Sequence, residues 1–191
     1  MPEEKNVITL GVKDLKISKL LKDDSTGVKY DTPHDVPGVK TIEITITTED
    51  KELTGDGVLL ASSSKKKGYD VTFSNAQLNP QVMAIINGSK VTEGGELDNE
   101  TITISDDADD KPNYFALEFI PEETDGAGEY HRTLYKVKGN AELQYTESDY
   151  SVYSFTGKGV ARDYDKKFGK TDLYTNETPI AQIPEIKAQS T

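Results

Sequence analysis

The sequence predicts a mainly β protein, in which two sheets pack as a sandwich or barrel with one flanking α-helix. Apolar residues alternate with a period of two over much of the chain, and a single segment shows helical spacing. A length of 191 residues favours one core. We therefore expect a main domain over residues 1–165 and a C-terminal arm over residues 166–191, where Pro179 and Pro184 interrupt any regular pattern.

The clearest predicted strand runs from Thr41 to Thr47, where isoleucines alternate with Thr or Glu as a half-buried strand requires. The run 114–120 is apolar on nearly both faces and predicts a central strand. Weaker alternation predicts strands over residues 15–20, 70–74, 101–105, 130–138, 141–145 and 151–161.

One helix is predicted over residues 79–87. Asn79 suits the N-cap and Pro80 the first turn, and Asn87-Gly88 ends the segment. The apolar residues recur at spacings of three and four, namely Leu78, Val82, Ile85 and Ile86.

Two long polar stretches are predicted to lie outside the strands. Residues 48–68 are too many for a tight turn, and excursions of this length are usually functional or disordered. Residues 92–110 contain eight carboxylates and no basic residue. The EF-hand spacing fails there because Lys111 or Pro112 falls where the loop needs glycine. We expect a solvated acidic loop, and leave open whether it contacts a cation or a neighbouring subunit.

Composition excludes several classes of function. The formal net charge of -12 should repel nucleic-acid phosphates and anionic membranes. The chain has no cysteine and only two histidines, which nearly excludes thiol chemistry, His-based triads and multi-histidine metal sites. We expect a protein that is not an enzyme and has no cofactor or metal. The N-terminal sequence has no basic region before an apolar stretch, and no apolar run is long enough for a bilayer, so we expect a soluble cytoplasmic product.

The order of several sequence blocks resembles that of a known family. The blocks are LTGDG at 53–57, GYDVTF at 68–73, LNPQVMAIING at 78–88, KPNYFALEF at 111–119 and YHRTLYKVKG at 130–139. Together they resemble the major tail proteins, or tail tube proteins, of long-tailed bacteriophages, especially the siphophage type. The resemblance covers residues from about Leu10 to Ala161.

This resemblance implies a non-enzymatic structural subunit. Proteins of this family close into hexameric rings, which stack into a hollow tube around the tape-measure protein and later conduct DNA. The implied partners are further copies of the chain, the tape-measure protein, and the tail terminator and distal tail proteins. DNA would pass without specific binding. The implied location is the virion tail, after assembly in the host cytoplasm and without a membrane.

The resemblance also assigns candidate site residues. The stretch from about 48 to 68 would be a loop or hairpin that reaches a neighbouring subunit and links successive rings. Its proposed inter-ring contact residues are Leu53, Asp56, Lys65, Lys66 and Lys67. The three lysines would meet an acidic surface of the next ring, for which the stretch 93–110 is a candidate, although an ordinary exposed basic loop tip is an equal alternative. Acidic residues on predicted strands are candidates for the lumen wall, namely Glu43, Asp70 and Glu118.

Two alternatives stay open at this point. The nearest is a tube protein of a contractile tail, a phage-like particle or a secretion system. The other is a stand-alone β-sandwich module that binds carbohydrate. Such a module would stay monomeric and expose aromatic side chains for sugar stacking, whereas a tube subunit should polymerise.

Overall fold

The computed structural model describes residues 9–55, 58–77, 79–96, 99–123, 128–144 and 152–188. The protein is mainly β, with 67% strand, one large antiparallel sheet, a second small sheet and one helix, consistent with a β-sandwich. This confirms the predicted fold class. The strands are β1 Thr9–Asp24, β2 Gly27–Tyr30, β3 His34–Asp35, β4 Val39–Gly55, β5 Val58–Asn75, β6 Lys90–Glu96, β7 Asn99–Ser105, β8 Phe115–Glu123, β9 Glu129–Gln144, β10 Val152–Gly159, β11 Gly169–Tyr174 and β12 Ile186–Lys187, and the helix is α1 Pro80–Asn87.

The large sheet has the strand order β12-β2-β1-β8-β9-β10-β5-β4, with β11 paired to β9 and β3 paired to β1. β1 also contacts β4, so the sheet curls back on itself. β4 ends this order and forms one edge of the sheet.

The main core lies inside the curl. The alternation of each strand sends one set of apolar side chains inward, where α1 closes the space. Its most buried members are Leu15, Ile17, Val71, Phe73, Val82, Ile86, Phe115, Leu117, Leu134, Val137 and Phe155.

Helix α1 follows its predicted signals. The Asn79 side chain accepts hydrogen bonds from the backbone N–H groups of Gln81 and Val82, at 3.0 and 3.5 Å. Gly88 ends the helix in the left-handed conformation, with φ of 85°. The buried residues Val82 and Ile86 turn toward the sheet. Leu78, also predicted to pack there, lies outside the described residues.

Residues 48–68 form the hairpin that was predicted for them as an alternative to a loop, and the strand predicted over 101–105 is confirmed within β7. The prediction of a solvated acidic loop is wrong for residues 92–96 and 99–100, which are also in strands. β4 continues to Gly55 and returns as β5, so the first stretch is a hairpin. β6 and β7 pair from Lys90↔Ser105 to Glu96↔Asn99, so most of the second stretch is a separate two-stranded sheet. Polar residues on both strand faces removed the alternation from which strands were predicted.

The C-terminal strap, which we define as residues 175–188, crosses the outer face of the curled sheet. At one end the Thr178 N–H donates to Glu129 at 2.8 Å. At the other, β12 pairs with β2. Ile180 and Ile183 are buried, and Ile183 packs with Val28, Tyr30 and Ala116. The arm predicted from residue 166 onward therefore includes one strand of the sheet, β11, and a strap that covers a second, smaller apolar cluster.

Candidate assembly surface

The β4–β5 hairpin extends beyond the sheet that carries it. β10 pairs with β5 from Tyr69 to Asn75, and the pairing of β4 with β5 continues past Gly68 to Gly55↔Val58. In the part of the chain that the structure describes, the strands of residues 48–68 pair only with each other. We call residues 48–68 the projecting hairpin. Its two strands leave two rows of backbone hydrogen-bonding groups free, which is the template for pairing with another chain.

The two edges of the projecting hairpin carry opposite charge. The β4 side contains Glu49, Asp50 and Glu52 against Lys51, and the β5 side contains the lysine stretch 65–67. Glu49 lies opposite Lys65 across the ladder. One hairpin thus has an acidic edge and a basic edge, and each complements the other edge of an identical hairpin.

Exposed apolar side chains are concentrated on strands β4 and β5. Ile46, Leu53 and Leu60 are 57%, 61% and 63% exposed, and they account for three of the seven large apolar residues that are exposed in the described ranges. Single exposed apolar residues are ordinary, but Leu53 and Leu60 both lie on the projecting hairpin, which favours it as a contact surface.

An aromatic cluster anchors the base of the projecting hairpin. The Tyr69 hydroxyl group accepts hydrogen bonds from the Lys66 ammonium group and from Arg132 Nη2, the latter at 2.6 Å. The Tyr69 ring meets the Phe168 ring edge to face at 6.1 Å. Burial raises the pKa of Tyr69, but the two cations outweigh it and the net pKa is lowered. The hairpin is therefore fixed to β9 and to the loop before β11.

The predicted contact residues divide into three groups. Leu53, Lys65 and Lys67 are exposed on the projecting hairpin, where a partner can reach them. Asp56 lies outside the described residues. Lys66 is half-buried, and its ammonium group binds Tyr69 and lies 3.9 Å from the centre of that ring. Its role in a contact with another copy stays a prediction.

Glu43 and Asp70 share one open face of the sheet. Glu43 lies opposite Thr72 and Asp70 lies opposite Thr45, so the register puts both carboxylates on the side away from the core. Both are exposed. Their neighbours on this face are hydroxyl and charged side chains, including Thr41, Thr47, Ser74, Ser154, Thr156 and Lys158. The result is a polar, apolar-free stripe over β10, β5 and β4.

The prediction that Glu118 faces an open channel is corrected by its burial. Glu118 is on β8, is 8% exposed, and lies under the C-terminal strap in a cavity of about 390 Å³. The sequence showed an acidic residue on a strand, but it could not show the strap. Burial raises the pKa of Glu118 to about 7, although a hydrogen bond from Thr133 and the charge of Lys170 lower it. The lumen candidates reduce to Glu43 and Asp70.

Residues that sequence reasoning missed lie mainly on the hairpin. Ile46 was assigned to the buried face of its strand, yet it is exposed because β4 is the sheet edge. Leu60, Glu49 and Asp50 were read as loop residues. The signal that could have found them is the sequence from Thr48 to Leu53, which continues a strand without any Gly or Pro.

No protein-family model matches the chain, and no curated protein is significantly similar to it. Among the described residues, no helix is long and apolar enough to span a bilayer. Nor do the described ranges contain a group of three or more His, Cys, Asp or Glu residues placed to hold a metal ion.

Proposed function

We propose that the protein is the structural subunit of a bacteriophage tail tube. It would form hexameric rings that stack into a hollow tube around the tape-measure protein and conduct DNA during ejection. The observation that carries this proposal is the projecting hairpin, with two free edges of opposite charge. The fold and the order of the sequence blocks support the same class of protein.

The hairpin geometry favours a closed ring. Its two strands run in opposite directions. When identical hairpins stand side by side around an axis parallel to them, β4 of each copy faces β5 of the next, and the new pair is again antiparallel. The contact joins two different surfaces, so it propagates from copy to copy and closes where the rotation allows.

The polar stripe around Glu43 and Asp70 is the proposed lumen wall. It belongs to the same strands as the hairpin, so a ring closed through β4 and β5 brings the stripes of neighbouring copies side by side. The carboxylate of Glu43 repels DNA phosphates, that of Asp70 lies 3.8 Å from the Lys158 ammonium group on the same face, and hydroxyl groups offer no strong attachment. DNA would therefore slide past without being held.

The remaining parts of the proposal follow from the resemblance to tail tube proteins. Tail terminator and distal tail proteins would cap the two ends of the tube, and the finished protein would lie in the virion tail. Transport would need no chemistry, cofactor or membrane. A tube protein of a contractile tail or secretion system would use the same surfaces.

A carbohydrate-binding module has less support. Sugar platforms need exposed aromatic rings. Among the described residues, Tyr114 is the one aromatic side chain that is more than a third exposed, at 39%. A single ring is a weak platform.

The proposal is tested by concentrating the purified full-length chain and measuring its mass by light scattering and its shape by negative-stain microscopy. We expect rings and tubes. The double variant Leu53→Glu and Leu60→Glu should stay monomeric, because it places charge on the apolar hairpin contact. The control variant Leu21→Glu and Leu173→Glu changes two residues of similar exposure elsewhere and should assemble normally. A wild-type chain that remains monomeric at every concentration and salt would overturn the proposal.

A further inference from the structure

The cavity of about 390 Å³ under the C-terminal strap has the size of a small-molecule site. β8, β9 and β11 form its floor, and the loop before β11 forms one side. The strap covers it mainly with apolar side chains, of which Ile180 and Ile183 are buried. Sites for small organic molecules combine an apolar lining of this kind with a few polar groups.

The strand register brings the polar groups of the floor together. Glu118 on β8 lies opposite Thr133 on β9, and Thr133 lies opposite Lys170 on β11. His131 precedes Thr133 by two residues, so its side chain points to the same face. Glu118 and His131 are therefore diagonal neighbours on two antiparallel strands, at positions about 7–8 Å apart.

Two buried polar atoms of this floor have no hydrogen-bond partner in the described chain. They are Oε2 of Glu118 and Nε2 of His131, and both residues are 8% exposed. Glu129 Oε2 lies 3.6 Å from His131 Nε2, which is too far for a hydrogen bond. Buried polar atoms are normally paired, so two unpaired atoms in one cavity favour a bound molecule that pairs with both.

The charges around the cavity select the class of molecule. Each cation of the lining lies within 3.9 Å of a carboxylate, namely Arg162 and Lys167 of Asp165, and Lys170 of Asp172. Within the described ranges, Glu118 is the carboxyl group of the lining that has no ion pair. An anion would find no free cation beside this group. An ammonium group would donate a charge-assisted hydrogen bond to it.

The other lining groups fit a molecule with two donors and an apolar middle. The Nε2 atom of His131 accepts a hydrogen bond when it carries no proton. The Tyr174 ring lies beside the imidazole, with the ring centres 4.4 Å apart, and aromatic faces attract cations. Ile180 and Ile183 would cover aliphatic carbons between the two donors.

The middle of the C-terminal strap is held loosely enough to admit a ligand. The Thr178 N–H and the pairing of β12 with β2 fix its two ends. Between them, residues 179–185 form no backbone hydrogen bond among the residues that the structure describes. Glu118 Oε2 and His131 Nε2 are covered, so this segment must lift for entry. It can do so without unfolding the sheet.

We propose that the cavity under the C-terminal strap binds a small aliphatic amine, with its ammonium group on Glu118 and a second donor on His131. The site lies within one copy of the chain, so this inference does not depend on ring formation. The bound amine would hold the strap against the sheet and stabilise the folded chain by mass action.

Calorimetric titration of the full-length chain at pH 8 tests the site. Glu118, whose pKa is about 7, is ionised there. The probes are putrescine, the corresponding diol and succinate, which share a carbon chain and differ in their end groups. We expect putrescine to bind with a dissociation constant below about 1 mM, and the diol and succinate to bind at least about tenfold more weakly.

Variants of the two unpaired groups test their assigned contacts. Glu118→Gln keeps the size of the side chain and should weaken putrescine binding at least about tenfold. The control Glu142→Gln removes the same charge from an exposed site and should bind like the wild type. His131→Phe keeps a ring beside Tyr174 and should weaken binding about threefold or more.

The contrary results are equally distinct. If the diol binds as tightly as putrescine, the cavity does not select an ammonium group and the inference is wrong. Absence of putrescine binding by the wild type, or equal binding by Glu118→Gln, would also overturn it. The proposed function is measured separately, by the formation of rings and tubes, and would stand in each of these cases.

Discussion

Glu118 places an ionisable group where water scarcely reaches it. Its Oε1 atom accepts a hydrogen bond from Thr133 at 3.2 Å, and its Oε2 atom has no partner within the described chain. The charges of Lys170 and Lys16 favour the ionised form and lower the pKa of Glu118, but burial and the charge of Asp172 raise it. The protonated form is therefore favoured up to about neutral pH.

This shift makes stability depend on pH. A folded-state pKa of about 7, above the ordinary value of 4.5, stabilises the fold at low pH and loses that contribution as pH rises toward 7. Glu118→Gln should remove the dependence and raise the free energy of unfolding by up to about 3 kcal/mol at pH 8. Thermal unfolding of both proteins from pH 4 to pH 8 measures this. Glu142→Gln, at an exposed site, is the control and should follow the wild type. If the stability of Glu118→Gln and of the wild type changed with pH in the same way, Glu118 would not be a buried carboxyl group with a raised pKa.

Gly139 lets two strands approach each other closely. It lies opposite Gly157 in the β9–β10 pair, and the Phe155 ring folds over the gap to stack on Phe73 at 4.8 Å. A methyl group at Gly139 would overlap the Thr156 carbonyl oxygen and lie 2.8 Å from the Phe155 ring. Glycine is the residue that fits.

Gly139→Ala should therefore lower the free energy of unfolding by about 1–3 kcal/mol, as overpacking does. Chemical denaturation measures the change. At Gly94 a methyl group would meet Thr101 Oγ1 at an ordinary 3.5 Å, so Gly94→Ala should have little effect. Equal effects at the two glycines would argue against close packing at Gly139.

At the scale of elements, the C-terminal strap shows where prediction from sequence stops. The prolines predicted an irregular arm, and the segment is irregular between Tyr174 and β12. Its position on the sheet depends on long-range partners, such as Lys13 with Glu177 at 2.7 Å and β12 with β2. Contacts between residues more than a hundred positions apart produce no local sequence pattern from which they could be predicted.

The strap should contribute stability through Ile183, which is 8% exposed. Ile183→Ala removes buried apolar volume and should cost about 2–4 kcal/mol in the free energy of unfolding. Leu21→Ala, at a residue that is 50% exposed, is the matched control and should cost less than about 0.5 kcal/mol. Denaturant titration at constant pH compares the two. Similar small effects would mean that the strap is detached in solution.

The projecting hairpin also shows a limit of prediction from sequence. Thr41–Thr47 was predicted as a strand because one face is buried and the other is not. From Thr48 to Glu52 both faces are polar, and the strand continues there without a signal from alternation. The helix was predicted fully because its cap, first-turn proline and terminal glycine are all local.

At the scale of the whole molecule, acidic and basic side chains are concentrated on different surfaces. The net charge of -12 is not spread evenly, because the basic stretch 65–67 interrupts it on the projecting hairpin. The sequence predicted overall repulsion of DNA, but which carboxylates face outward followed only from the structure. Glu43 and Asp70 are open, whereas Glu118 is covered.

The central claim is that the acidic β4 edge of one copy pairs with the basic β5 edge of the next to close a ring. Cryo-electron microscopy of the concentrated full-length chain tests it most directly. We expect hexameric rings in which adjacent projecting hairpins form one continuous antiparallel sheet, with Glu43 and Asp70 facing the lumen. A monomer at every concentration, or a ring in which the hairpins of adjacent copies do not meet, would contradict the claim.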